Sequence, residues 1–234
     1  MRIVFGNEDW ELRPSGALWW PAGKTLVVAD LHLGKAESLA ARGYVLPPHA
    51  SVETLTRLER EMAAKDPRRV ICLGDAFHDE DRVHGLPEEQ RHQLAAMAEG
   101  RDWTWITGNH DGRGLRRARG GDETGTPGRA EFLPGTVADE AWLGEVGLRH
   151  EPAGGRELGG YPVVYGHFHP KRRVKLGRRC LSRPAFLWTD LVLVLPAFGA
   201  LTGGLDQRHP ELVDLLGPVP RAALLWRDRV IRVE

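Results

Sequence analysis

Aspartate, asparagine and histidine recur in this chain in short clusters, each just after an apolar run: Asp30-Leu31-His32, Gly74-Asp75, Gly108-Asn109-His110-Asp111 and Gly166-His167-Phe168-His169. Carboxylate oxygen, amide oxygen and neutral imidazole together suit Mn²⁺, Fe or Zn²⁺. Thiolates are missing from the set, which argues against a structural zinc site. Two such ions roughly 3.5–4 Å apart can share a carboxylate, activate water near neutral pH and hold a phosphoryl oxygen. The chemistry these residue types allow is therefore metal-assisted hydrolysis. Any one of them alone would more often be a cap, a turn residue or a core hydrogen-bonder. The ordered set carries the argument.

The elements that must position these residues are legible as short buried strands. Thr25–Ala29, Arg69–Leu73, Trp103–Ile106 and Pro162–Tyr165 each run into one cluster, and Leu191–Leu195 reads the same way. Helical patterns lie between some of them. Val52–Ala64 places Leu55, Leu58 and Met62 at three- and four-residue steps, and Pro87–Ala98 opens with proline and acids. Strand–helix alternation in the first half implies an α/β sheet, and ligands of such sheets bind at the carboxyl ends of parallel strands. In the second half Val137–Trp142, Arg172–Lys175, Leu181–Trp188, Leu191–Leu195 and Arg229–Val233 read as strands of a more antiparallel sheet, with a late helix over Asp206–Leu216. Gly112–Arg129, rich in Gly and Arg and without periodicity, reads as a surface loop. With 234 residues and no clear linker, residues 1–234 are expected to form a single domain.

Asp-x-His, Gly-Asp, Gly-Asn-His-Asp, a further His and Gly-His-x-His, in that order, resemble the calcineurin-like metallophosphoesterases. The resemblance spans Asp30 to His169. It implies a four-layer αββα sandwich, two mixed β-sheets flanked by helices. It also implies two divalent metal ions. Asp30, His32 and His169 would bind the first, Asp75 would bridge both, and Asn109 and His167 would bind the second. The family pattern asks for one more His between Asn109 and His167, and His150 is the histidine in that interval. The family usually has Gly after that His, where this chain has Glu151-Pro152. His110 would contact the phosphate and protonate the leaving oxygen, with Asp111 orienting its ring. His78, which departs from many relatives, is a candidate substrate contact.

Finer motifs narrow the resemblance. Asp30-Leu31-His32-Leu33-Gly34-Lys35, Gly74-Asp75-Ala76-Phe77-His78, Gly166-His167-Phe168-His169-Pro170, Pro196-Ala197-Phe198-Gly199 and Thr202-Gly203-Gly204 are similar to the bacterial ligase-associated DNA damage response endonucleases. That likeness implies a manganese-dependent phosphodiesterase acting on single-stranded DNA, associated with a DNA ligase and a helicase.

Charge bears on the substrate too. Lys+Arg and Asp+Glu both total 32, so nucleic-acid affinity must come from local patches. One patch is Lys171, Arg172, Arg173 and Lys175, followed by Arg178, Arg179 and Arg183. The other is Arg113, Arg116, Arg117 and Arg119. Both leave the chain beside expected ligands, and Arg113 and Arg172 are candidate phosphate contacts. The alternatives are a phosphoesterase on a small molecule (a phosphomonoester, cyclic nucleotide or nucleotide pyrophosphate) and a non-catalytic scaffold on the same fold. Retention of Asn109, His110 and Asp111 speaks against the scaffold. The longest apolar stretch, Leu191–Leu201, is interrupted by Pro196 and Gly199 and is too short to span a bilayer. Two cysteines make no disulfide framework, and a cytoplasmic location is expected.

Overall fold

The structure, a computed structural model, describes residues 1–45, 49–120, 133–152 and 160–233. It begins with a hairpin that composition alone conceals. Gly6 and Asn7 both take left-handed backbone, φ 60° and 59°, and turn the chain between β1 (Arg2–Phe5) and β2 (Glu8–Leu12). A two-residue turn with both φ positive matches the twist of an antiparallel pair. β3 (Leu18–Trp20) and β4 (Thr25–Val28) continue the antiparallel run. After α1 (Lys35–Ala41) and α2 (Ala50–Lys65), β5 (Arg69–Leu73) returns parallel to β4. After α3 (Arg82–Gly85) and α4 (Glu88–Ala98), β6 (Asp102–Ile106) lies parallel to β5. After α5 (Gly112–Gly120), β7 (Thr136–Ala138) lies parallel to β6. The first sheet thus runs β1 to β7 in sequence order.

The second sheet is built from β8 (Glu140–Leu143), β9 (Val146–Arg149), β10 (Val163–Tyr165), β11 (Lys171–Leu176), β12 (Arg179–Trp188) and β13 (Val192–Val194). After α6 (Pro210–Leu216) come β14 (Arg221–Trp226) and β15 (Arg229–Val233). Its order is β15-β14-β12-β13-β10-β9-β8, with β11 paired to β12. β10 is parallel to β9 and β13, and the other pairs are antiparallel, so both sheets are mixed.

Strand period two generates the layers. Along β5, Val70 and Cys72 face one way, into a core with Leu55, Leu58 and Met62 of α2 and Leu94 and Met97 of α4. Ile71 and Leu73 face the other way, into a core shared with Leu148, Val164, Phe186 and Leu193 of the second sheet. Val163 and Tyr165 of β10 point outward to Leu212 and Leu216 of α6. Burial on both faces explains why these strands read as unbroken apolar runs. Each such Leu, Ile, Val or Met contributes about 1.5–3 kcal/mol. The result is helix, sheet, sheet, helix, the fold expected above. Cys72 is buried and Cys180 exposed, and burial pushes the Cys72 thiol pKa up. No helix among the described residues is long and apolar enough to cross a membrane.

Three segments depart from the sequence expectation. Val137–Trp142 is two strands, and it crosses between the sheets. Val137 pairs with Trp105 in the first sheet, whereas Ala141 pairs with Leu148 in the second. Asp139 between them accepts hydrogen bonds from Thr107 Oγ1 at 2.7 Å and from Arg116, which anchors the crossing point. In the Gly112–Arg129 segment, residues 112–120 form α5, because Leu115 and Ala118 are buried against the first core. Residues 121–129 lie outside the described ones. The late helix starts at Pro210, since proline suits the first turn, and Asp206 instead bridges to Lys171.

Candidate metal centre

The carboxyl ends of β4, β5 and β6 open beside those of β9 and β10. The loops that follow are laced together: Asp30 N–H donates to Gly74 O (3.2 Å), His32 N–H to Asp75 O (2.9 Å), and Gly166 N–H to His150 O (3.1 Å). Asp30, His32, Asp75, His167 and His169 all have left-handed backbone, with φ between 45° and 65°. For a residue with a Cβ this costs about 1–3 kcal/mol and persists only where surrounding contacts enforce it. The glycines beside them are sterically required. A Cβ on Gly74 would lie 2.0 Å from His150 Nδ1, and one on Gly108 would lie 2.1 Å from Asp75 Oδ1.

Two donor groups result. Asp30, His32 and His169 offer ligand atoms all within 4.8 Å of one another, and so do Asp75, His150 and His167. In the first, His169 Nε2 lies 3.2 Å from His32 Nε2 and 3.3 Å from Asp30 Oδ1. In the second, His150 Nε2 lies 3.4 Å from Asp75 Oδ2 and 3.3 Å from His167 Nδ1. Asn109 Oδ1 joins them, 3.0 Å from His150 Nε2 and 3.1 Å from His167 Nδ1. The groups are contiguous, since His150 Nδ1 lies 3.8 Å from Asp30 Oδ1.

The donors fit divalent cations. Imidazole nitrogens of His32 and His169, and of His150 and His167, face each other at 3.2–3.3 Å, close enough for one ion to take both lone pairs of a pair. His32 Nδ1 is buried with no hydrogen-bond partner among the described residues. Burial above all pulls the His32 pKa down to about 2, which keeps the ring neutral, as a ligand must be. Burial acts in the same direction on His150, but its hydrogen bond to Asp75 and the charges of Asp30 and Asp75 prevail and raise it to about 9. Burial opposes ionisation of Asp75. The His150 contact and the His110 N–H nonetheless hold its pKa well below the ordinary carboxylate range. This is a negatively biased pocket that attracts positive charge.

His110 sits at the mouth, its side chain 43% exposed. Its Nδ1 contacts the His78 carbonyl at 3.0 Å. A carbonyl only accepts, so Nδ1 carries the proton and Nε2 is left facing the site, 3.9 Å from Asp75 Oδ2. The ring stacks on His78 (5.5 Å between centroids, 22°) and stands edge-on to His32 (5.3 Å). His78, partly buried, is therefore a neighbour of the site.

Asp111 corrects an expectation. It does not orient the His110 ring, a task that falls to the His78 carbonyl. Its buried carboxylate accepts from Gly108 N–H and Phe77 N–H, at 3.0 Å each, and so pins the loop carrying Asn109 and His110 to the loop after Asp75. Burial raises its pKa to about 7, against those two amide bonds.

Arg113 is 83% exposed and lies 3.9 Å from Glu80. It lines a cleft of about 470 Å³ with Asn109 and Arg116. Arg172 is on β11, three residues beyond His169, opposite Arg183. Glu151, noted in the sequence only as a departure, approaches His167 Nε2 at 3.7 Å. Its place directly after His150 was the available signal.

Mixed sheets between helices, with acid and imidazole donors gathered in two groups at the strand ends, define a metal-dependent phosphoesterase. The chain belongs to the calcineurin-like phosphoesterase family, whose model matches residues 23–223. Among solved structures it is similar to the nuclease MPE of Pseudomonas putida, with 28% identity, coverage of 100% of this chain and 99% of that one, and a TM-score of 0.71. It also matches Yfce, a phosphoesterase from E. coli, at 13% identity over 89% of this chain and 97% of that one. With a TM-score of 0.41, that match is too distant to carry an argument. No match was found among curated proteins.

Proposed function

We propose that this chain is a two-metal phosphodiesterase that cuts single-stranded DNA with Mn²⁺, as a cytoplasmic single-domain enzyme working beside a DNA ligase and a helicase in repair. The observation that carries the proposal is the convergence of two contiguous donor groups from loops far apart in sequence, with His110 at their mouth. Similarity over its whole length to a nuclease supports the substrate class. Asp30, His32 and His169 would hold one ion, and Asn109, His150 and His167 the other, with Asp75 between them. When bound, such a pair supplies Lewis acidity at a phosphoryl oxygen and an activated water.

The chain's own residues do the rest. The His78 carbonyl fixes the His110 tautomer, so that Nε2 faces the reacting phosphate and, once protonated, donates to the departing sugar oxygen. Asp111 holds the Gly108 loop rigid, so Asn109 and His110 keep their positions. Arg113 and Arg172 contact phosphates of the bound strand, and His78 supports the leaving side.

The test is incubation with single-stranded DNA and Mn²⁺, with His110→Ala as control. Nicking by the parent but not the variant is expected. Hydrolysis of mono- but not bis-nitrophenyl phosphate, without nicking, would instead make it a small-molecule monoesterase.

A further inference from the structure

The two basic groups beside the site are not equivalent. On α5, Arg113 and Arg117 lie 3.9 and 3.7 Å from the Glu80 carboxylate, and Arg116 pairs with Asp139. Those charges are met by acids of the same chain. The segment Lys171–Arg183 differs: it holds seven Lys and Arg residues and no Asp or Glu. Arg173 reaches Asp206 at 3.1 Å, and Arg183 lies over the Trp226 ring at 5.2 Å. Lys175, Arg178 and Arg179, around the exposed turn, make no ion pair among the described residues.

The geometry is that of a ribbon whose inner part rests on the body, where Val174 packs against the core under α6, and whose turn, at Lys175, Arg178 and Arg179, is exposed. β11 pairs with β12 from Lys171↔Pro184 to Leu176↔Arg179, and β12 joins the body of the second sheet only from Ala185 onward. Six residues at about 3.3 Å each give a ribbon of roughly 20 Å. It starts two residues after His169, so its base adjoins the metal groups. Directly paired residues share a face, and side chains alternate, so Lys171, Arg173 and Lys175 lie on one face. Like charges two residues apart repel, and no acid among the described residues pairs with those at the tip. A polyanion would, releasing its counterions as it binds.

We propose that the β11–β12 ribbon is a nucleic-acid guide: a single strand lies along it, held by its phosphates, and is led to the metal groups at its base. The proposal rests on the nuclease reading above and adds the surface that gives that reading its affinity. Because the contacts are to phosphate, the guide grips without regard to base sequence.

The test uses the Mn²⁺-loaded full chain and the triple variant Lys175→Gln/Arg178→Gln/Arg179→Gln, with three substrates: a long oligo(dT), a dinucleotide too short to reach the tip, and bis-nitrophenyl phosphate. For oligo(dT), KM should rise about tenfold or more, and the slope of log KM against log salt should fall by about 2, for three lost phosphate contacts. kcat should hold, and both short substrates should be hydrolysed as by the parent. An unchanged KM and salt slope for oligo(dT) would overturn the guide while leaving the nuclease reading intact. So would an equal loss on all three substrates. A parent that hydrolyses the small diester but never cuts oligo(dT) removes the nuclease reading, and the guide with it.

Discussion

The backbone N–H of His167 donates to both carboxylate oxygens of Asp30, at 3.1 Å each. Asp30 follows a strand of the first sheet and His167 a strand of the second. One fully buried side chain therefore takes part in a donor group and also ties the sheets together.

Asp30→Asn separates these two roles. The amide keeps one oxygen to accept the His167 N–H but gives up the charge. Metal analysis after dialysis should find one Mn²⁺ per chain rather than two, and the protein should remain folded. Asp30→Ala should lose the same ion and, with the half-buried His167 N–H left unpaired, about a further 1 kcal/mol of stability in urea unfolding. Two retained ions in Asp30→Asn would remove Asp30 from the ligand set.

His110→Ala should lower kcat by about 10²–10⁴ while Mn²⁺ stoichiometry stays at the parent value. The ring belongs to neither donor group, is 43% exposed and meets His32 only edge-on, so its loss leaves both groups in place. Parallel loss of metal and turnover would contradict its role as proton donor.

Asp111→Ala should behave differently. It strands the buried Phe77 amide, at about 1–3 kcal/mol, and the half-buried Gly108 amide, at less. A lowered Tm is expected, along with weaker retention of the second ion, because the Asn109 loop loses its anchor. A variant with the parent's Tm and a defect in kcat alone would restore the idea that Asp111 serves the His110 ring.

Gly108→Ala adds one methyl 2.1 Å from Asp75 Oδ1. The nearest atoms also include the Asp75 backbone nitrogen at 2.3 Å, so the clash cannot be relieved by a flexible side-chain tip. The circular dichroism spectrum should survive, and metal binding at the second group should not.

A pH effect is expected away from the site. Glu11 of β2 binds Arg13 and Lys65 at 2.5 Å each, and Arg13 binds Glu61 of α2 at 2.9 Å. Burial works against the Glu11 charge, but the Lys65 and Arg13 hydrogen bonds win and lower its pKa below the ordinary 4.5. A lowered folded-state pKa stabilises the protein at pH values above the unfolded pKa and ceases to do so as pH falls through the folded one. Glu11→Gln should therefore cost about 1 kcal/mol at neutral pH and nothing in strong acid. An equal difference at both pH values would assign the effect to packing.

The layers of the fold and the types of the donor residues were legible in the sequence, and the loops that join them were not, for physical reasons. Chemistry needs specific atoms, so Asp30, Asp75, Asn109 and the Gly-His-x-His run stand out by type, and each follows an apolar run long enough to read as a strand. Loop geometry is set by contacts distant in sequence. Nothing around Asp111 announces that its carboxylate would turn to Phe77, 34 residues away. The β7–β8 crossing was hidden because alternation looks the same whichever sheet a strand joins. In α5 the apolar side chains buried among the described residues are Leu115 and Ala118, too few to reveal a period among arginines and glycines. The Gly6-Asn7 turn was a readable hairpin signal, flanked by the short alternating runs of β1 and β2.

Neither half of this chain owns a complete set of donors. Asp30 and His32 come from before residue 121 and their partner His169 from after residue 132; Asp75 and Asn109 are likewise divided from His150 and His167. Held by these groups as proposed, metal would gauge how squarely one sheet is seated on the other. A break between 120 and 133 would yield two fragments in which catalysis reports reunion, since neither alone holds all the donors of either group.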